Sequence, residues 1–467
     1  MKRRRGSCVL SALVLAAATF SVAGAEEREV GARPAADSPE AGLWVLSDKA
    51  ESEAKRSAEL NTSAELREYV RSVACKVAAT HCPEIRVYVF DRPFFQASMA
   101  PNGYMEVWSG LMLRAESEAE LAFVLGHETG HYVNSHSWQS LQAVKSRATG
   151  AMFATVLIGV AGAVASVNAG SAAAANGGSA ASAVNSINSV TSGLINAVYL
   201  GTVASLFSFS REHETIADAF GYDAAVKAGY QPSAGVALWQ RLIDETAASD
   251  FPKVRNGQAR TSVFDSHPVA ADRVAALNKL AGDQTGGEEG KARYRAAIRP
   301  FLGPWLRDDL RRRDFGQSLF LIDRLGAGGE DLGVINFYRG EALRLRRKDG
   351  DAAAAEAAYR EAIRFADAPP ETWRQLADFA ERRGDHAETA RLLQTFLDKA
   401  PNAGDAAFAR MRLARALGAP APEVAPLAAP DPVAPPGSPV PVAVAPSAVS
   451  AALQADLSMP TANGTRP

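Results

Sequence analysis

The chain has 467 residues, of which 47% are hydrophobic, and its formal net charge is −2 at pH 7. This length is sufficient for two or three domains. A near-neutral chain lacks the strong positive charge that nucleic-acid binding favours, so we expect no nucleic-acid partner.

The first 25 residues predict a secretory signal peptide. A basic start is followed by an apolar run and by Ala23-Gly24-Ala25, after which acidic residues begin. Cleavage is expected after Ala25, which would export the chain. An uncleaved membrane anchor is the alternative interpretation.

The cysteine content limits the kinds of site that the chain can form. Once the signal peptide with Cys8 is removed, Cys75 and Cys82 remain. Two cysteines are too few for a disulfide scaffold or for a four-cysteine zinc site. In an oxidising exported compartment the pair can form a disulfide, because the two residues are only seven apart.

Residues from about 40 to 108 predict helices followed by strands. Two helices are expected between 40 and 80, with Thr62 and Glu65 as the capping box of the second. The β-branched and aromatic run from Ile85 to Phe90 predicts a strand, and a second strand is predicted from Tyr104 to Trp108.

The next segment carries the motif His127-Glu128-x-x-His131. Ser117 and Glu120 predict a capping box at the start of a helix that contains it. On a helix, two histidines four residues apart lie on one face and can bind one metal ion. The intervening glutamate can then reach a metal-activated water, so this spacing indicates a zinc-dependent hydrolase.

Residues 148–209 are rich in Ala, Gly, Ser and Val and almost uncharged. Their apolar runs are shorter than the ~20 residues of a membrane-spanning helix. Two interpretations stay open for this segment. It forms either a helical hairpin packed on the catalytic domain or a flap that touches membrane or substrate.

A third metal ligand is expected from the segment that follows. Glu214 and Asp218 lie one helical turn apart on the same face. Glu214 could ligate the metal, and Asp218 could accept a hydrogen bond from a ligand imidazole. His213 is a competing ligand. It points about 100° away from Glu214 on the helix, so only one of the two side chains can easily face the metal.

The C-terminal part predicts paired helices and then a tail. A period of 34 relates Gly350 to Gly384, and each glycine precedes an Ala-rich helix. Residues 290–417 therefore resemble tetratricopeptide repeats, with a generic helical domain as the alternative. Residues 418–467 are rich in Pro and Ala and are expected to be a disordered tail.

The two metal-binding segments together resemble one family. Their pattern is similar to that of the zinc metallopeptidases that include HtpX and the CAAX prenyl proteases. The residues that carry the resemblance are His127-Glu128-x-x-His131, Ser210-Arg211-x-x-Glu214-x-x-Ala217-Asp218, and Ser266-His267-Pro268 followed by Arg273. The exported start and the C-terminal repeats are similar to the periplasmic BepA-like branch.

The resemblance implies a mainly α-helical fold with a small β-sheet. A zincin-type metallopeptidase domain at 40–285 would precede an α-helical tetratricopeptide-like repeat domain, and one Zn²⁺ would bind per chain. It selects Glu214 as the third ligand beside His127 and His131. Glu128 is then the general base.

The remaining site residues have supporting roles. The resemblance places His267 near the active site, either as an oxyanion stabiliser or as an inhibitory fourth ligand. Arg211 is expected to pair with an acid and hold the helix that carries Glu214. His136 is expected to point away from the metal, and His81 and His386 to lie on the surface.

The expected function is that of a periplasmic zinc metalloendopeptidase. The resemblance implies quality control or assembly of outer-membrane proteins. The expected partners are unfolded or misassembled envelope proteins, outer-membrane assembly machinery bound through the repeats, and a membrane surface touched by 148–209. One alternative is an envelope chaperone or scaffold with a latent zinc site. Another is an inner-membrane protease whose 148–209 segment spans the bilayer.

Overall fold

The computed structural model describes residues 27–145, 209–256 and 271–419. The described residues up to Leu417 belong to one compact unit. The predicted signal peptide, nearly all of the 148–209 segment, His267, and the tail beyond 419 lie outside the described ranges. Within those ranges, no helix combines the length and the apolar character needed to cross a bilayer.

The described chain is mainly helical, as expected. The helices of the first part are α1 Pro39–Ala54, α2 Ala64–Ala78, α3 Ser109–Arg114, α4 Glu118–Val133, α5 His136–Lys145, α6 Arg211–Lys227, α7 Ala234–Ala247, α8 Pro252–Arg255 and α9 Ala271–Ala281. Those of the second part are α10 Lys291–Ile298, α11 Leu302–Arg311, α12 Phe315–Ala327, α13 Leu332–Arg346, α14 Asp351–Ala362, α15 Glu371–Arg382, α16 His386–Lys399 and α17 Ala406–Ala416.

A small sheet accompanies the first helices. Its strands are β1 Arg86–Phe90, β2 Ala97–Met99 and β3 Tyr104–Trp108, in the order β1-β3-β2. Strand β1 runs parallel to β3, and β2 runs antiparallel to it. The two predicted strands are confirmed. The sequence analysis missed β2, because three buried residues are too few to display an alternating pattern.

The predicted capping box of α2 is wrong by one residue. Ser63, not Thr62, precedes the helix with an extended backbone, and its Oγ accepts a hydrogen bond from the Leu66 N–H at 3.1 Å. At the start of α4 the predicted cap is half formed. The Ser117 Oγ accepts from the Glu120 N–H at 3.2 Å, whereas the Glu120 carboxylate accepts from the Glu116 N–H.

A disulfide joins Cys75 and Cys82, as the sequence allowed. Cys82 lies within a short 3₁₀ turn at 79–84 that brings His81 against α4. The prediction that His81 lies on the surface is therefore wrong. Its Nδ1 lies 2.9 Å from the Glu84 carboxylate, and its ring meets the Tyr132 ring edge-on.

Helices α4 and α6 pack backbone to backbone. A Cβ atom added to Gly126 would lie 3.0 Å from the Gly221 Cα, and one added to Gly221 would lie 2.7 Å from the His127 nitrogen. No side chain fits between the helices at this crossing. The glycines therefore bring the histidines of α4 close to the acidic residues of α6.

The second part of the chain forms consecutive helix pairs. Gly350 and Gly384 are the two glycines of the 34-residue period. Gly350 has a φ of 83° and directly precedes α14, and Gly384 has a φ of 74° and lies two residues before α16. Glycine adopts this conformation without steric cost. The helix pairs α13–α14 and α15–α16 are thus observed, and their assignment to tetratricopeptide repeats stays a prediction.

A buried ion cluster connects the two parts of the chain. The Arg114 guanidinium lies 2.7 Å from the Glu245 carboxylate of α7 and 2.9 Å from the Asp309 carboxylate of α11. All three side chains are at most 5% exposed. One cation on α3 therefore compensates two acids on different helices.

Replacing Arg114 by Met is expected to lower the free energy of unfolding by about 3–5 kcal/mol, because two buried carboxylates lose their shared cation. Chemical denaturation measures the change. The matched control is Arg311→Met, since Arg311 is exposed and pairs with Asp308 on its own helix. This control is expected to change stability by less than about 1 kcal/mol. Equal losses in both variants would contradict the prediction.

Candidate metal centre

Three buried side chains converge between α4 and α6. The Nε2 atoms of His127 and His131 lie 3.0 Å apart. Each is 3.6 Å from one carboxylate oxygen of Glu214. One ligand atom from each residue falls within 4.8 Å of the others, so the group can hold a metal ion. These are the three residues that the sequence analysis selected as ligands.

The spacing of the three ligand atoms fits Zn²⁺. Zinc bonds of about 2.0–2.1 Å in tetrahedral geometry place neighbouring ligand atoms about 3.3 Å apart. The observed separations of 3.0 Å and 3.6 Å lie on either side of this value. Two imidazoles and one carboxylate also form a donor set that catalytic zinc sites use, with a position left for water.

Asp218 holds the first histidine in place. Its Oδ1 lies 3.0 Å from the His127 Nδ1, one turn along α6 from Glu214. Burial acts to raise the pKa of Asp218, but hydrogen bonds from Arg273 and His127 outweigh it and lower the pKa to about 2. Asp218 is therefore an anionic acceptor, which keeps the proton of His127 on Nδ1 and directs the lone pair of Nε2 toward the other two ligand atoms.

Arg273 provides the cation at this site. Its Nη1 lies 2.8 Å from Glu214, and its Nε and Nη2 each lie 2.7 Å from Asp218. Its guanidinium also lies over the Trp239 ring at 5.1 Å. Burial favours loss of its proton, but Asp218 and Glu214 outweigh that effect and raise the pKa of Arg273.

The expected role of Arg211 is wrong. Its side chain is exposed at the first residue of α6, and it makes no ion pair within the described part of the chain. Glu214 and Asp218 are both buried and need a counter-charge. That charge comes from Arg273 on α9, which the sequence analysis quoted without giving it a role.

His136 lies beside the site, although it is not a member of the ligand group. The prediction for His136 requires one continuous helix, but α4 ends at Val133 and Ser135 has a positive φ of 52°. The chain therefore turns back and brings the His136 Nδ1 within 2.9 Å of the His131 Nδ1. Burial, and then the neighbouring His213 and His127, lower the pKa of His136 to about 3.

His213, the competing ligand of the sequence analysis, lies outside the ligand group. Its ring stacks on His136 with centroids 4.3 Å apart, and its Nε2 lies 3.1 Å from the Gln139 Oε1. His386 is exposed at the start of α16, as expected. The role predicted for His267 stays a prediction, since that residue lies outside the described ranges.

Aromatic rings surround the two histidine ligands. The Phe209 ring stacks on His131 with centroids 3.9 Å apart, and the Trp239 ring meets His127 edge-on at 6.4 Å. Glu128 follows His127 directly on α4 and is also buried. These rings exclude water from the ligands, which strengthens the electrostatic interactions within the site. No pattern in the sequence pointed to Phe209 or Trp239.

Comparison with known proteins places this site within a family. Residues 60–281 match the sequence profile of Peptidase family M48. This range contains the three candidate ligands and Glu128. It also contains Arg273, the cation of the site.

The chain is also similar to curated proteins over part of its length. It is 32% identical over 176 residues to the "Putative beta-barrel assembly-enhancing protease" of Vibrio cholerae, covering 37% of this chain and 30% of that protein. It is 28% identical over 193 residues to the mitochondrial metalloendopeptidase OMA1 of Schizosaccharomyces pombe, covering 41% and 45%. The chain thus spans less than half the length of each relative. The expected resemblance is confirmed for this part of the chain: residues 60–281 match peptidase family M48.

Proposed function

We propose that the chain is a zinc-dependent metalloendopeptidase. The observation that carries this proposal is the convergence of His127, His131 and Glu214 in a buried group whose spacing fits zinc. The match of residues 60–281 to a metallopeptidase family and the adjacent Glu128 add support. That match indicates peptide bonds as the substrate class.

The side chains of the site divide the reaction between them. When bound, zinc supplies a Lewis acid for the peptide carbonyl and lowers the pKa of the attacking water. Glu128 takes a proton from that water as the water oxygen bonds to the carbonyl carbon. Glu128 then passes the proton to the amine nitrogen as the C–N bond breaks. Asp218 and Arg273 keep His127 and Glu214 in position throughout.

We further propose that the enzyme works in the periplasm on outer-membrane proteins during their assembly or quality control. The name of the Vibrio cholerae relative refers to beta-barrel assembly. The predicted signal peptide and the Cys75–Cys82 disulfide both suit an exported, oxidising compartment. Unfolded envelope proteins are the proposed substrates. The position of Phe209 against His131 supports a substrate-contacting role for the end of the 148–209 segment.

A second candidate function is that of an envelope scaffold, and a cavity in the helix pairs favours it. This cavity of about 800 Å³ lies among α11, α13 and α15. Phe337 and Tyr338 contribute an apolar floor, and Arg307 and Arg313 contribute cations that have no carboxylate partner within the described residues. Such a surface suits an acidic or unfolded protein segment.

The zinc content and the casein cleavage of the mature chain, which begins at Glu26, distinguish the two functions. We expect about one zinc per chain by elemental analysis, and cleavage of casein that stops with a zinc chelator and returns with added zinc. Zinc without cleavage would favour the scaffold, and Arg307→Ala with Arg313→Ala would then weaken casein binding. Absence of bound zinc would overturn the proposed site. Fractionation of cells expressing the full chain tests export: mature protein in the periplasm supports it.

A further inference from the structure

The contact between His131 and His136 joins two ring nitrogens. Their Nδ1 atoms lie 2.9 Å apart, and both side chains are buried. Read as a hydrogen bond, this contact has a hydrogen on one nitrogen and a lone pair on the other. The contact therefore links the proton position on His131 to that on His136.

We propose that His136 is a positioning residue that fixes the tautomer and ring orientation of His131 for metal binding. This inference rests on the proposed function, because it assumes that His131 binds metal through Nε2. A ligand Nε2 must be free of hydrogen, so the proton of His131 belongs on Nδ1. His131 then donates to the His136 Nδ1, and His136 carries its own proton on Nε2.

The opposite tautomer pair is incompatible with a metal. If the His136 Nδ1 donated instead, the His131 proton would move to Nε2, which lies 3.0 Å from the His127 Nε2. That hydrogen would point into the space between the ligands. An acceptor at position 136 therefore selects the tautomer that can bind metal.

The fold holds both rings of this pair from outside. His131 has Phe209 stacked on its face, with centroids 3.9 Å apart. His136 has His213 stacked on its face at 4.3 Å and 12°, and His213 in turn contacts Gln139. Since His213 is the neighbour of Glu214 on α6, His136 lies between the two helices that carry ligands. The position of His136 therefore depends on the distance between α4 and α6.

The two histidine ligands differ in their acceptors. His127 donates to Asp218, a carboxylate that Arg273 keeps ionised. His131 donates to an imidazole, which must be neutral in order to accept at Nδ1. A charged acceptor therefore orients His127, and a neutral acceptor orients His131.

Two substitutions distinguish the hydrogen-bond acceptor that His136 provides from the stacking of its ring. His136→Phe keeps a ring for stacking on His213 but cannot accept a hydrogen bond. His136→Gln loses the ring but offers a carbonyl oxygen as acceptor. Zinc affinity is measured by competition with a chelator, and the visible spectrum of the Co²⁺-loaded protein reports ligand geometry. His386→Phe, at an exposed position, is the matched control.

We expect His136→Phe to weaken zinc binding by about 10–100-fold. His136→Gln is expected to bind zinc close to wild type with an unchanged cobalt spectrum. Equal affinity of wild type and His136→Phe would overturn the inference, as would equal losses in both His136 variants. If His136→Phe does not fold, the zinc affinity of His136→Gln tests the inference by itself. A loss of zinc affinity in His136→Gln as large as that of His131→Ala would overturn the inference. Wild type that binds no zinc would instead overturn the proposed function.

Discussion

Glu128→Gln is expected to abolish peptide cleavage while leaving the bound metal in place. Glutamine keeps the size of the side chain but cannot take a proton from water, so the general base is lost. Such losses typically lower kcat by about 10²–10⁴-fold. The zinc content should stay near that of wild type, because Glu128 is not a member of the ligand group.

The rate of casein cleavage and the zinc content are measured on the same preparations. Glu212→Gln is the matched control, since Glu212 is exposed on α6 two residues before the ligand Glu214. It should retain both zinc and cleavage. Cleavage by Glu128→Gln at the wild-type rate would assign the general base to another residue. Loss of zinc together with cleavage would show that Glu128 acts in metal binding.

Arg273→Leu is expected to destabilise the metal-free protein and to make its stability depend on zinc. Without the guanidinium, the buried acids Glu214 and Asp218 lose the cation that the structure places beside them. Breaking a buried ion pair in this way costs about 3–5 kcal/mol. A zinc ion on Glu214 restores part of the missing positive charge. Added zinc should therefore raise the melting temperature of this variant more than that of wild type.

Arg211→Leu provides the control for this experiment. Arg211 lies on the same helix as Glu214, but its side chain is exposed. We expect a change of less than about 0.5 kcal/mol in unfolding free energy. Denaturation with and without zinc measures both variants. If Arg273→Leu and Arg211→Leu behaved alike, the arginine at the site would not have the role that the structure assigns to it.

The part of the site that depends on local helix geometry was predictable from the sequence. His127 and His131 are one turn apart, as are Glu214 and Asp218, and a period of 3.6 residues places each pair on one face. The structure brings these four residues together. The family resemblance predicted that the two helices form one metal site. The residue spacing within each helix does not predict this.

The residues that the sequence analysis missed depend on where the chain turns. His136 was expected on the far side of α4, but the helix ends before it, and a positive φ at Ser135 reverses the chain. Arg273 reaches the site from α9, about 55 residues after Glu214 and Asp218 in the chain. His81 is buried because a disulfide and a 3₁₀ turn direct it inward. Each case requires a tertiary contact that no periodic pattern encodes.

The glycine contact between α4 and α6 has a consequence for the choice of ion. Because the backbones of Gly126 and Gly221 meet directly, the helices have no compressible side-chain layer between them. The distance between the histidines and Glu214 is thus fixed by the two main chains. Calcium needs six to eight oxygen ligands at about 2.3–2.6 Å, which calls for a wider and more adaptable cage. The fixed helix crossing and the two imidazole donors therefore suit a small four-coordinate ion better than calcium.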